Sequence, residues 1–118
     1  MSREFPAPEL ADVELGTVMA ALADPLRAGV VAALVGEAGL NEAGERSCAS
    51  FALPVAKSTR THHWRVLREA GLIRQRDAGN GTFVRLRRDE FEDRFPGLLD
   101  TFTRLATQAR PASSAPDT

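Results

Sequence analysis

Cysteine is almost absent from this chain of 118 residues: Cys48 stands alone, so no intramolecular disulfide can form, and the usage fits a reducing interior. No apolar run approaches the ~18 residues needed to span a bilayer. The opening MSREFPAPEL lacks a basic stretch followed by an apolar block, so no secretory signal is expected. Together these absences point to a cytoplasmic chain without membrane contact. No internal repeat is found. No nucleophile sits beside a base at helical spacing, no glycine-rich loop is built to cradle phosphates, and the chain is short for a closed pocket, so an enzyme is not expected. No cofactor is expected either.

What the chain does have is charge sorted by sign. Residues 57–88 carry nine basic side chains, Lys57, Arg60, Arg65, Arg68, Arg74, Arg76, Arg85, Arg87 and Arg88, against Glu69 and Asp77, a net of +7. Residues 1–56 sum to −5 and residues 89–118 to −3, so the overall −1 conceals a dipolar molecule. A solvated surface is the ordinary explanation of a single charged run. Segregation across a third of the chain favours a basic face that attracts a phosphate backbone.

Residues 1–8, with Phe5-Pro-Ala-Pro8, read as a flexible extended arm, residues 9–109 as one folded domain, and 110–118 as a disordered tail by composition. From residue 9, Leu10, Val13, Val18, Met19 and Leu22 follow a loose helical period. Asp24-Pro25 suits the cap and first position of a second helix, which buries Leu26, Val30, Ala33 and Leu34 and stops at Gly36. Residues 36–46 read as loop, and 47–53 as a short helix ended by Pro54. After a tight connection, Ser58 or Thr59 caps a helix that closes at Gly71. Its inward face is His63, Trp64, Leu67 and Ala70, and its outward face Lys57, Ser58, Thr61, His62 and Arg65. Residues 72–77 and 82–87 alternate around Ala78-Gly79-Asn80-Gly81, whose Asn-Gly pair marks a hairpin. There Ile73, Val84 and Leu86 face the core, while Arg74, Arg76, Arg85 and Arg87 face water or a ligand. After Pro96-Gly97, a last helix places Leu98, Phe102, Leu105, Ala106 and Ala109 on one stripe, longer than a small monomer core needs.

The expected fold is therefore mostly α with a small hairpin (α+β), in the order α-α-α-α-β-β-α. Two short helices joined by a tight turn form a helix-turn-helix, whose second helix fits the major groove of DNA. Ser58, Thr59 and Thr61 can bond phosphates or base edges, and the helix N-terminus favours phosphate. His62 and Arg65 lie a turn further on, where base edges are read. The hairpin arginines would reach the flanking backbone or the minor groove. A different class of function fits the same layout: a winged-helix module whose basic face docks an acidic protein surface.

The residues also carry a resemblance. Leu22-Ala-Asp-Pro-Leu-Arg27 resembles the L-x-D-P-x-R opening of the second helix in ArsR/SmtB-type bacterial repressors. The segment 57–73, KSTRTHHWRVLREAGLI, is similar to that family's recognition-helix signature, and the similarity spans roughly residues 10–105. The resemblance implies a winged helix-turn-helix homodimer that represses its operon on double-stranded DNA and lets go when an effector binds. It implies that the terminal helices make the dimer interface, here Leu10 and Val13 with Leu98, Phe102, Leu105 and Ala109. It also implies that Ser58, Thr59, Thr61, His62 and Arg65 lie in or beside the major groove.

Two places depart from the family pattern. The Cys-x-Cys pair of its metal-sensing members falls on Glu45 and Ser47, with Cys48 one beyond, and no histidine follows His63. No metal site is expected, which leaves a small organic molecule, a protein partner or modification of Cys48 as the effector's mode of action. Arg60 stands where the family puts an apolar residue; its stem can pack with the guanidinium at the surface, or it can reach DNA. The remaining candidates have plain readings: Cys48 as a small buried apolar residue, His63 as a hydrogen-bonded core histidine, and Trp64 as core. Neighbouring helix positions point ~100° apart, so His62 and His63 cannot chelate one ion. Asp89, Glu90, Glu92 and Asp93 form a solvated helix start.

Overall fold

In the computed structural model, which describes residues 2–108, the first helical period breaks into two pieces. Leu10–Asp12 form a single 3-10 turn, and α1 runs Leu15–Leu22. Between them Val13 and Glu14 are extended. The cause is tertiary: Arg94 donates to the Val13 carbonyl at 2.9 Å and to the Leu10 carbonyl at 3.1 Å, the latter also closing the 3-10 turn by accepting from the Val13 N–H at 3.1 Å. The second helix, α2, spans Pro25–Val35 as its cap predicts. Asp24 accepts from the backbone N–H groups of Leu26 at 2.9 Å and Arg27 at 3.1 Å. Burial works against its charge, but these donors and the Arg27 guanidinium hold its carboxyl below the usual value. A bend of 102° separates α1 from α2, and among the described residues no single helix is long and apolar enough to cross a membrane.

The sheet is larger than a hairpin. Strands β1 (Arg3–Glu4), β2 (Glu45–Ser47), β3 (Ile73–Asp77) and β4 (Thr82–Leu86) lie in the order β1-β3-β4-β2, every neighbouring pair antiparallel. The arm expected to be flexible is thus pinned to the outer edge of β3, with Arg3 opposite Asp77 and the Phe5 N–H donating to Gln75 O at 2.9 Å. Glu45–Ser47, expected as loop and helix start, cover the other edge. At the hairpin tip, Asp77 still opposes Thr82, and Ala78 N–H donates to Gly81 O. The turning residues are therefore Gly79 and Asn80 rather than Asn80 and Gly81, with Gly79 at φ +90° and its N–H bonded to the Asp77 carboxylate. The short helix expected at residues 47–53 is a 3-10 turn, Cys48–Phe51, ended by a left-handed Ala52.

Helix α3 (Lys57–Glu69) lies between that turn and β3, and α4 (Arg88–Arg94) and α5 (Leu98–Gln108) close the chain. The core gathers Phe91, Leu34, Leu67, Leu72, Ile73, Val18, Val31 and Val84, all fully enclosed. Leu10 and Val13, expected in a dimer interface, belong to this core at 8% and 3% exposure. They close over Gly71, and so are unavailable to a partner. Leu98 and Phe102 are partly buried against the same core, with Leu99 the deepest residue of α5. Of the expected stripe Leu105 stays open at 57% exposure, and Ala109 lies outside the described residues, as does the 110–118 tail.

Candidate nucleic-acid interface

Helix α3 is held from behind at both ends. Its N-cap is Ala56, not Ser58 or Thr59, and no side chain caps it. Its first-turn N–H groups are thus left without a side-chain acceptor, the situation that makes a helix start hospitable to anions. At the other end the N–H groups of Gly71 and Leu72 return to the carbonyls of Arg68 and Leu67, a Schellman closure requiring the left-handed Gly71 at φ +75°. The inner face is His63, Trp64, Leu67 and Ala70, all buried as the spacing predicts. Trp64 packs against Phe51 of the preceding 3-10 turn, with ring centres 5.5 Å apart and the planes tilted by 58°.

One arginine ties α3 to the two helices before it. Arg27 donates to the Ala21 carbonyl (2.8 Å), to the Ala20 carbonyl (3.4 Å) and to His63 Nδ1 (2.9 Å). A guanidinium can only donate, so His63 accepts at Nδ1 and carries its proton on Nε2. The L-x-D-P-x-R segment therefore works as a joint: Asp24 starts α2, and Arg27 caps the end of α1 while orienting the back of α3. Nothing in the sequence assigned Arg27 this work.

With the back fixed, Lys57, Ser58, Thr59, Thr61, His62 and Arg65 are all exposed. Spacings of three and four residues gather Lys57, Thr61 and Arg65 with Ser58 and His62 on one outward face. Arg65 Nη2 and His62 Nδ1 sit 3.2 Å apart there. The face offers hydroxyls, an imidazole and two cations, a donor set suited to phosphate oxygens and to the guanine edge.

The rest of the basic segment divides into cations with work inside the fold and cations without. Arg87, expected on the outer face of the hairpin, is 3% exposed; it donates to Glu90 at 2.6 Å and to the Pro8 carbonyl at 2.7 Å. Strand β4 ends at Leu86, so alternation stops one residue short and Arg87 becomes the N-cap residue of α4. Arg88 reaches the Val35 carbonyl at 2.8 Å and so caps α2. Arg60 is half-buried and donates to the Val55 carbonyl at 2.7 Å, bracing the turn that launches α3. Arg76 makes a two-pronged pair with Glu45 at 2.7 and 2.9 Å and lies over the Phe83 ring. This bond holds the Glu45 carboxyl below its usual value despite partial burial. Arg74 is half-buried between Glu4 (3.8 Å) and Glu90 (3.6 Å), and Glu90 is likewise pulled low, first by Arg87. Of the expected hairpin contacts, Arg85 alone is both exposed and without a side-chain partner among the described residues.

Behind α3 lies a second polar group. Arg68 stacks on the Phe5 ring (4.7 Å) and donates to Gln75 Oε1, whose amide in turn donates to Cys48 Sγ at 3.6 Å. Burial pulls Arg68 below its ordinary value and pushes the Cys48 thiol up, the latter only partly opposed by hydrogen bonds from Thr82 and Gln75. Glu45 and Ser47, the positions weighed as a thiolate pair in the sequence, lie on the edge strand β2, Glu45 committed to Arg76.

Comparison with known proteins agrees with this geometry. A family model described as a helix-turn-helix domain matches residues 22–76, from the end of α1 through β3. The chain is also similar to the uncharacterized HTH-type transcriptional regulator YceK of Bacillus subtilis (strain 168). The two are 32% identical over 87 residues, 71% of this chain and 81% of the relative.

Proposed function

This chain belongs to the helix-turn-helix transcriptional regulators, and we propose that within them it acts as an ArsR/SmtB-type repressor. It binds an inverted-repeat operator as a homodimer, with α3 in the major groove, and an effector releases it. The observation that carries the reading is the division of α3. Four side chains lock its inner face, while six hydroxyl, imidazole and cationic side chains stay exposed, five of them on one outward face, along a helix start without a side-chain cap. Arg85 on β4 extends the cationic surface to the wing, where it meets flanking phosphate.

The dimer rests on a different observation. Leu15 and Met19 on α1 are each 51% exposed and Leu105 on α5 is 57% exposed, large apolar side chains on the two helices that flank the DNA-reading unit. Burying each against a second copy contributes ~1.5–3 kcal/mol at most, less for the part already covered. Two copies related by a twofold axis present two α3 helices to half-sites roughly one helical turn apart.

The test is selection of bound duplexes from a random pool by the full chain. The expected yield is an inverted repeat with that spacing. Recovery of unrelated sequences, or of single half-sites, would count against the dimeric reader.

A further inference from the structure

A cavity of about 560 Å³ opens beside α3, bounded by the 3-10 turn at Cys48, by β1's continuation at Phe5 and by the wing at Gln75 and Thr82. Its volume falls within the ~300–1,000 Å³ of small-molecule sites. Phe5, Leu53 and Trp64 supply an apolar wall, and Lys57, Arg60, Arg65 and Arg68 line it with four cations. No carboxylate lines it among the described residues. Arg68 lies on its inner side, stacked on Phe5 and donating through one guanidinium nitrogen to Gln75 Oε1.

We propose that this cavity binds a small organic anion, a carboxylate carrying an aromatic or branched apolar body, and that this anion is the effector. The carboxylate accepts from Arg68 and draws on the cations at the rim, while the apolar body lies against Phe5, Leu53 and Trp64. A free inorganic anion would leave that wall wet, and a duplex phosphate offers it no apolar surface. The effector role rests on the DNA-binding reading above; the binding site itself does not. The link between the two is physical, because Lys57, Thr61 and Arg65 belong both to the cavity lining and to the exposed face of α3. An anion that engages them withdraws them from phosphate, and by reciprocity bound DNA weakens the anion by the same factor.

The experiment titrates the DNA-free full chain by calorimetry with 3-phenylpropionate and 4-phenylbutyrate, and with the corresponding neutral amides. Trp64, the single tryptophan of the chain, gives an independent emission readout from the cavity wall. The acids are expected to bind about tenfold or more tighter than their amides, and Arg68→Met to remove about that factor for the acids while leaving the amides unchanged. Circular dichroism checks that Arg68→Met folds; should it not, the acid-against-amide comparison on the unaltered protein decides. Equal binding of acid and amide, or no heat and no Trp64 response to either acid, overturns the site. A second titration into the protein–duplex complex tests the effector role: release of DNA by the acid supports it, and DNA retained at saturating acid overturns it. Failure of the protein to bind any duplex would sink the DNA reading while the acid-against-amide result still stands.

Discussion

Replacing Gly71 by alanine tests how α3 is joined to the wing. Gly71 holds φ +75°, and a Cβ built there would lie 3.0 Å from Leu10 Cδ1 and 3.1 Å from Val13 Cγ2. Two costs therefore add. The left-handed backbone costs an L-residue ~1–2 kcal/mol, and forcing a methyl against two enclosed side chains costs ~1–3 kcal/mol more. Leu10 and Val13 have little room to yield, because Arg94 fixes the carbonyls of both. Gly79 at the wing tip provides the control: its φ is +90°, but nothing lies within 4 Å of an added Cβ. Gly79→Ala should cost only the backbone share, ~1–2 kcal/mol, and Gly71→Ala ~2–5 kcal/mol. Urea unfolding of the three proteins reads the difference, with a common slope and separate midpoints. Equal midpoint shifts for the two variants would refute the claim that Leu10 and Val13 close tightly over the helix end.

Arg85→Ala should weaken binding to every duplex and lower the salt slope by ~1 per subunit, ~2 for the dimer. Arg87→Ala should leave the slope unchanged but lose ~1.5–3 kcal/mol of stability with its buried hydrogen bonds; a flatter slope for Arg87→Ala would place it on DNA after all. Leu105→Glu alters an exposed residue, so the monomer should fold normally while sedimentation velocity shows the dimer lost. A monomeric unaltered protein at micromolar concentration would contradict the interface. The Glu45 carboxyl is held low in the folded protein by Arg76, so its contribution is present above the unfolded carboxylate value and lost as pH falls through the depressed one. Urea midpoints measured across the acid range should fall less steeply for Glu45→Gln than for the unaltered chain, and superimposable profiles would remove the pair from the account.

How much of this was legible depended on the range of the interaction involved. The 3.6-residue period put His63, Trp64, Leu67 and Ala70 inside and Lys57, Ser58, Thr61, His62 and Arg65 outside, because helix faces follow from spacing alone. The alternation around the glycine-rich turn found β3 and β4 for the same reason. Strands β1 and β2 were invisible: two and three residues, Arg-Glu and Glu-Arg-Ser, are too short and too polar to alternate, and they are strands only because β3 and β4 offer edges. Val13 read as part of a helix until Arg94, distant in sequence, claimed its carbonyl. The basic segment was read as one charged face. Its charge total was right, but Arg60, Arg76, Arg87 and Arg88 are spent on carbonyls and carboxylates from elsewhere in the chain, pairings that no local pattern encodes. Arg65 and Arg85, by contrast, remain exposed on the surfaces where spacing put them.

The central claim, that the outward face of α3 reads base sequence, meets its most direct test in Arg65→Ala. Fluorescence anisotropy would follow the unaltered chain and the variant on two labelled duplexes, one carrying the selected inverted repeat and one of mixed sequence, at several salt concentrations. The account predicts a loss of ~1–3 kcal/mol per contacted half-site on the selected duplex and a far smaller loss on the mixed one. An equal loss on both duplexes would make Arg65 a phosphate contact only, and no salt-dependent binding to either would contradict the account outright.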